Sequence, residues 1–446
     1  MQGLSLAKPS SHFYAMISYE DPYVQPLILA ALKKQLPPNS YTHISSLDDL
    51  PDLASPLLVI GAYESLPFDH IMDYPNATLS NAYIIRKALI RKHYLSTTAY
   101  NWVVKNPSSI LATNIKPSCD FELDYAEFLD DALVEAWELQ ENFRRNEDKE
   151  AEEREWWILK PGMSDRGQGI RLFSTEVELQ GIFEEWEAER PDSDDGAEGE
   201  EVDQNDAEDS EAATKKGKED AEGGNYIVTS HLRHFIAQPY IHPPLLLPSN
   251  PHKFHIRTYV LAFGSLKVYV YKPMLALFSV TPYAPPWALS SNSPDSPPQD
   301  LSAHLTNTCL QTGAHEGSVQ AFWSLDLPAS AKSSIFSQIC ETTGEVFEAA
   351  AKGMMIHFQT MPNSFEVFGL DYLVDEKGTA WLLEVNAFPD FRQTGDELKS
   401  LVGGLWEGVI GEVVSEFFGV DVEGKKGGGE EQEGLVLVRS VELGKK

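Results

Sequence analysis

Four short segments of the chain carry residue types and spacings that could do chemistry. The strongest is a predicted hairpin. Phe368-Gly369-Leu370-Asp371-Tyr372-Leu373-Val374-Asp375 reads as one strand, Glu376-Lys377-Gly378 as a turn, and Trp381-Leu382-Leu383-Glu384-Val385-Asn386 as the return strand. Glu384 and Asn386 lie two apart and share a face, and Asp371 on the facing strand can converge with them. Carboxylates among apolar neighbours are costly unless paired or metal-bound. The hard oxygens of Asp371, Glu384 and Asn386 suit Mg²⁺ held together with nucleotide phosphates. A purely structural carboxylate network is the alternative.

A second segment is Trp157-Ile158-Leu159-Lys160-Pro161, followed by Ser164-Asp165-Arg166-Gly167-Gln168-Gly169-Ile170-Arg171-Leu172. A strand ending in lysine, a glycine turn and a return strand would cover a phosphate. Glycine lets backbone approach the oxygens, and Lys160 supplies a point charge. The bland alternative is a tight hairpin beside an exposed lysine. In a third segment, Ile236-Ala237-Gln238-Pro239-Tyr240-Ile241, a strand runs into a connection whose backbone could read an adenine edge with help from Gln238. It could equally be a buried strand with a polar end. The fourth is Lys253-Phe254-His255-Ile256-Arg257-Thr258-Tyr259-Val260, whose alternation puts Lys253, His255, Arg257 and Tyr259 on one face. That face is either a phosphate-side cation row or the solvated side of an ordinary strand.

These segments need a scaffold, and the rest of the chain supplies one. In 446 residues, 42% are hydrophobic and 11% aromatic, which is enough for a sizeable core and suggests two to four structural units. Net charge is −33, of which −14 lies in residues 184–223. The remaining −19 argues against direct nucleic-acid or anionic-membrane binding. Cys119, Cys309 and Cys340 form neither a disulfide framework nor a metal spacing, so a reducing compartment is expected. No run of about 18 apolar residues occurs, and Met1-Gln2-Gly3-Leu4 does not read as a signal peptide. A cytoplasmic protein is expected.

The start alternates strand and helix: a strand at residues 13–17, a helix at 23–36 and a buried strand at 57–60. Helices are predicted at 81–95, at 125–145 and at 398–418, the last from Leu398, Leu401, Val402, Leu405, Trp406, Val409, Val413 and Phe417. Residues 184–224 have too few aliphatics to offset the entropy of ordering, so a long disordered acidic insertion is predicted. A Pro/Ser-rich loop is predicted at 284–299. The domain expectation is a small N-terminal α/β domain at 1–80, a central subdomain at 81–240, a C-terminal subdomain at 241–420 and a flexible tail at 421–446.

Taken in order, Lys160, Gly167-Gln168-Gly169-Ile170, Gln238-Pro239-Tyr240-Ile241, Lys253-Phe254-His255-Ile256-Arg257, His304-Leu305-Thr306-Asn307 and Asp371…Glu384-Val385-Asn386 resemble the tubulin–tyrosine ligase family. The likeness runs over residues 81–418, roughly three quarters of the chain. It implies an α/β (α+β) protein of ATP-grasp fold that uses ATP and Mg²⁺. The implied reaction is carboxylate–amine ligation through an acyl-phosphate. On that resemblance Lys87 is the phosphate-contacting lysine of the basic helix, and His304, Thr306 and Asn307 join Lys160, Arg166, Gly167, Gln168, Gly169, Ile170, Gln238, Tyr240, Ile241 and Lys253 at the nucleotide. Arg257 and Lys253 take the catalytic roles: Arg257 steers the acceptor carboxylate or steadies the acyl-phosphate, and Lys253 holds phosphate. Asp371, Glu384 and Asn386 hold the metal.

Three positions depart from the family pattern. His255 stands where members usually carry an acid, Leu277 where they carry an amino-acid-binding arginine, and Ala387-Phe388-Pro389 where they read Ala-Ser-Pro. These variants resemble a fungal branch associated with P-bodies, whose members can also carry a survival-protein phosphatase-like domain; none is expected in this chain. The partners implied are a protein substrate and mRNA-decay granule proteins. Tubulin, with acidic tails, is opposed by the net charge, which a basic strip (Lys33, Lys34, Arg86, Lys87, Arg91, Lys92) would have to offset. A nucleotide-binding scaffold in such granules is the alternative to a ligase.

Overall fold

The computed structural model describes residues 12–162, 168–188, 233–289, 299–306, 318–391, 398–420 and 434–442. Arg166, Gly167, Asn307, Cys309 and positions 189–224 of the expected insertion lie outside them. The chain divides into two units: residues 1–116, 241–283 and 303–446 form the first, and residues 117–240 and 284–302 the second.

Unit one begins with a parallel sheet in the order β2-β1-β3-β4, from β1 (Phe13–Ser18), β2 (Tyr41–Ile44), β3 (Leu57–Gly61) and β4 (Thr78–Ser80). β3 is buried at every residue, as its unbroken apolar run requires. Helix Gln25–Gln35 has Pro26 in its first turn, where no N–H is needed. The helix expected over 81–95 is broken. Asn81 exchanges two hydrogen bonds with the Gly61 backbone, and Arg86 is buried against Glu366. Those tertiary partners outweigh helix propensity. Helix forms only at Lys87–Ile90 and, after an extended Arg91, at Lys92–Lys105.

Unit two holds an antiparallel sheet in the order β5-β8-β6-β7: β5 (Cys119–Glu122), β6 (Trp157–Pro161), β7 (Arg171–Phe173) and β8 (His234–Pro239). One face packs on helices Trp137–Asn146 and Glu176–Ala188 through Phe121, Phe235, Leu139, Phe183 and Trp186. The helix expected over 125–145 is interrupted, with short turns at Ala126–Phe128 and Leu129–Ala132 before Trp137. Positions 184–188, expected in the insertion, are helical because Trp186 is wholly buried.

The remainder of unit one is a seven-stranded antiparallel sheet made of β9 (Phe254–Phe263), β10 (Lys267–Tyr271), β11 (Leu275–Phe278), β12 (Val319–Ala321), β13 (Phe365–Val374), β14 (Ala380–Ala387) and β15 (Leu435–Ser440). β9 is its axis, with β11 and β10 on one edge and β13 on the other; β14 follows β13 and β15 follows β10. Strand β15 corrects the expectation of a uniformly flexible tail. Leu435-Val436-Leu437-Val438 is strand-prone and covers the edge of β10. The 25-residue helix Ala329–Gly353, not anticipated from the sequence, lies on one sheet face through Ile335, Ile339, Val346 and Phe347. The other face packs on helix Lys399–Val409 and its continuation to Phe418, whose buried Val402, Leu405, Trp406 and Val409 are the predicted stripe. Among the described residues no helix is long and apolar enough to cross a membrane.

Candidate functional site

In unit one, Arg257 on β9 is in register with Asp371 on β13, and Asp371 in turn with Glu384 on β14. Alternation fixes which way they face. Ile256, Leu370 and Tyr372 enter the core under helix Ala329–Gly353, so Arg257 and Asp371 take the opposite face. On β14 simple alternation would fail, because Leu382 and Glu384 are two apart and would share a side. A register shift after Asp371 leaves Leu383 without a partner. This bulge lets Leu382 and Val385 both reach the core, so Glu384 and Asn386 emerge on the Asp371 face.

The row is tightly bonded. Arg257 donates from Nε to Asp371 Oδ1 at 2.5 Å and from Nη2 to Oδ2 at 3.0 Å, with both side chains buried. Burial works against the charge of Arg257, but the Asp371 carboxylate prevails and holds its pKa above the ordinary guanidinium value. His255 sits next along β9, its Nδ1 2.6 Å from Thr306 Oγ1 and its Nε2 3.5 Å from Asp371 Oδ1. Burial, against the opposing pull of Asp371, pushes the imidazole below its usual pKa. Asn386 Nδ2 donates to Glu384 Oε1 at 3.2 Å, and Lys92 Nζ lies 3.9 Å from Glu384 Oε2. β9 is buried along its whole length, so its polar face is not the solvated side of an ordinary strand.

Two further features shape this face. A Cβ on Gly369 would meet Pro389 Cβ at 2.8 Å and Arg257 Cδ at 3.4 Å, so only glycine lets Pro389 close over Arg257. Phe388, between Asn386 and Pro389, has φ +48°, a strained conformation for a side-chain-bearing residue. Its ring lies 6.0 Å from that of Tyr19 and 5.9 Å from the Arg86 guanidinium, which stacks on Tyr63 at 3.7 Å. Arg86 Nε is 2.9 Å from Glu366 Oε1, and the Tyr83 N–H donates to Glu366 Oε2. Burial pushes the Glu366 carboxyl up to about 7, against the pull of Arg86 and the Tyr83 N–H.

The donor chemistry fits Mg²⁺. The set offers two carboxylates and one amide; among the described residues no group of three or more His, Cys, Asp or Glu is gathered for a metal. Arg257 uses one lone pair on each Asp371 oxygen and leaves one on each. Turning over the Asn386 amide would present Oδ1 in place of Nδ2.

In unit two, Lys160 and Gln238 come together: Lys160 Nζ donates to Gln238 Oε1 at 3.1 Å, and both are buried. Gly169 has φ +69°, which suits a glycine turn, while Gln168 is exposed and Ile170 half-buried. The Tyr240 N–H donates to the Trp156 carbonyl at 2.8 Å. Tyr240 is the last residue of a segment of unit two and Ile241 the first of a segment of unit one, and both are buried. In unit one, Lys253, His304 and Thr306 are buried as well, and Lys87 is half-buried at the first residue of its short helix.

The sequence reading did not assign Lys92, the Leu383 bulge, Phe388, or the Arg86–Glu366 pair to the site. The apolar Leu382 and Val385, three apart in a strand, were the one signal of the bulge. Within the expected basic strip Arg86 is buried against Glu366, while Lys34 donates to Glu407 at 2.7 Å and stays largely exposed. Leu277 is wholly buried opposite His255 and Val319.

Residues 93–419 match the sequence model of the tubulin–tyrosine ligase family. A probable tubulin–tyrosine ligase of Schizosaccharomyces pombe is 40% identical over 403 residues, covering 90% of this chain and 91% of that protein. The probable tubulin–tyrosine ligase PBY1 of Saccharomyces cerevisiae is 41% identical over 417 residues, covering 89% of this chain but only 51% of the relative. Among solved structures, the C-terminal domain of Kluyveromyces lactis Pby1 superposes with a TM-score of 0.69 at 34% identity, covering 97% of this chain and all of that domain. That domain is described as an ATP-grasp enzyme interacting with the mRNA decapping enzyme Dcp2.

Proposed function

We infer the function from one premise: the chain belongs to the tubulin–tyrosine ligase family and has the ATP-grasp fold of a ligase-type enzyme. On it we propose an ATP- and Mg²⁺-dependent carboxylate–amine ligase that joins an amino acid to a protein carboxylate. The observation that carries this is the row Arg257–Asp371–Glu384–Asn386, charged and hard-oxygen groups laid by three strands on one sheet face.

The acceptor carboxylate oxygen attacks the γ-phosphorus of ATP and ADP leaves, giving an acyl-phosphate. The amine nitrogen then attacks the acyl carbon, phosphate departs with the bond electrons, and the nitrogen loses a proton. Lys160, Lys253 and the 168–170 turn hold phosphate in this reading, with Lys87, Gln238, Tyr240, Ile241, His304 and Thr306 at the nucleotide; Arg166, Gly167 and Asn307 complete the proposal from sequence. Asp371, Glu384 and Asn386 would hold Mg²⁺, which when bound would neutralise charge on the transferring oxygens. Arg257 releases one hydrogen bond to Asp371 to grip the acceptor or the acyl-phosphate. Catalysis rests on positioning and electrostatics rather than on a side-chain nucleophile.

A second reading is supported by the two-point Arg257–Asp371 lock and by the Dcp2 interaction of the Kluyveromyces domain. It is a cytoplasmic nucleotide-binding scaffold that works with mRNA-decay proteins in P-bodies. The test is ATP turnover measured with labelled amino-acid incorporation into tubulin and cell-lysate proteins. Incorporation that depends on Mg²⁺ and Arg257 supports the ligase. ATP binding without turnover or incorporation supports the scaffold.

A further inference from the structure

Unit two carries an outward surface that the proposed reaction does not use. Between β5 and helix Trp137–Asn146, the buried flank of the chain is Ala126, Leu129, Leu133, Ala136 and Leu139, all in the unit's core. The outward flank carries Tyr125, Phe128, Val134 and Trp137, which are 44%, 48%, 67% and 66% exposed. The Tyr125 and Phe128 rings meet edge to face at 6.2 Å, an aromatic pair formed on the surface. Exposed large apolar side chains concentrated in one run mark interaction surfaces.

The run itself carries charge of one sign, and a cation that reaches it from elsewhere, Arg233, is paired with Asp124 at 2.8 Å. Residues 117–143 contain no lysine or arginine, and Glu127, Asp131 and Glu135 stand exposed among the aromatics. Burial and the nearby Asp130 carboxylate push Glu176 above the usual carboxylate range. Like charges crowded in this way gain from an incoming cation. Nucleic acid and anionic membrane are repelled by the same surface.

We propose that the Tyr125–Trp137 surface docks a basic, amphipathic segment of a partner protein, with apolar side chains on Phe128, Val134 and Trp137 and Lys or Arg on the acidic rim. Apolar anchors ringed by complementary charge are how such segments are held, the aromatics giving affinity and the rim partner choice.

The probe is a fluorescein-labelled amphipathic Leu/Lys peptide titrated into the full chain, beside a Lys/Ser peptide of equal charge. The expected result is saturable binding of the Leu/Lys peptide and much weaker binding of the Lys/Ser peptide. Phe128→Ser with Trp137→Ser should weaken binding at least about tenfold with unchanged circular dichroism. Glu127→Gln, Asp131→Asn and Glu135→Gln together should also weaken it, through rim charge alone. Equal binding of both peptides, untouched by the aromatic variant, would reduce the effect to diffuse charge and overturn the proposal. So would a dimer in sedimentation that Trp137→Ser dissolves, since the occupant would then be a second copy. Affinity that rises more than tenfold on deleting residues 189–232 overturns it as well, because the chain's own Lys215-Lys216-Gly217-Lys218 would be the occupant.

Discussion

Arg257 and Asp371, 114 residues apart in sequence, face each other across β9 and β13 and share two hydrogen bonds in a buried setting. Neither group could stay charged there alone, so the site is held together by the groups proposed to do its chemistry. Asp371→Asn strands the guanidinium and should cost about 3–5 kcal/mol. Replacing both residues with Leu and Met should restore most of that loss in denaturant unfolding. A single variant as stable as the parent would show the pair to be solvated.

Glu384 separates stability from catalysis. Its side chain is 31% exposed, so Glu384→Gln should change unfolding free energy by less than about 1 kcal/mol. It should lower ATP turnover about 100-fold or more by removing a charged metal ligand. Undiminished turnover would remove the metal assignment.

Glu366 gives a pH signature. Burial raises its folded carboxyl to about 7, above the unfolded value of about 4.3, so the folded state binds the extra proton between them. Its contribution is therefore full below the unfolded pKa and falls away as pH rises through the folded one. Unfolding free energy should decline from about pH 4.3 to 7, and Glu366→Gln should flatten that decline. A parent that gains stability over this range through Glu366 would show the Arg86 pairing to dominate.

Leu277→Arg would place a cation where the family resemblance leads one to expect it. The side chain is wholly buried among Leu275, Tyr259 and neighbouring apolar groups, however. An unpaired guanidinium there should destabilise on the order of 4 kcal/mol or more, rather than create an amino-acid site. A folded variant with raised affinity for free tyrosine in calorimetry would refute this.

Removal of residues 189–223 should leave the melting temperature nearly unchanged, because their composition offers almost no apolar side chains for a core. A cut that begins at Glu187 should lower it, since Glu187 Oε1 accepts the Ala126 N–H at 2.6 Å. Scanning calorimetry of the two deletions checks the boundary.

Much of the scaffold was legible because it follows from local pattern. Leu57-Leu58-Val59-Ile60 could only be a buried strand, and the apolar stripe from Leu398 to Phe417 could only be a covered helix. The hairpin around Gly378, with φ +84°, was written in its turn residues. Elements set by distant partners were less legible. Residues 81–95 have helical composition, but Asn81 and Arg86 are claimed by Gly61 and Glu366.

The sequence by itself determined which groups this chain can bring to a site: Lys160 and Gln238, each near the end of a strand, and Asp371, Glu384 and Asn386 on one hairpin. Side-chain type and strand period are local properties. The tertiary structure decided how those groups are spent. It joined Arg257 to Asp371, put Pro389 over Gly369, and inserted the Leu383 bulge that turns Glu384 out of the core. Each of these depends on what the third strand or the opposite core face demands. An alternation read along one strand carries no record of that demand.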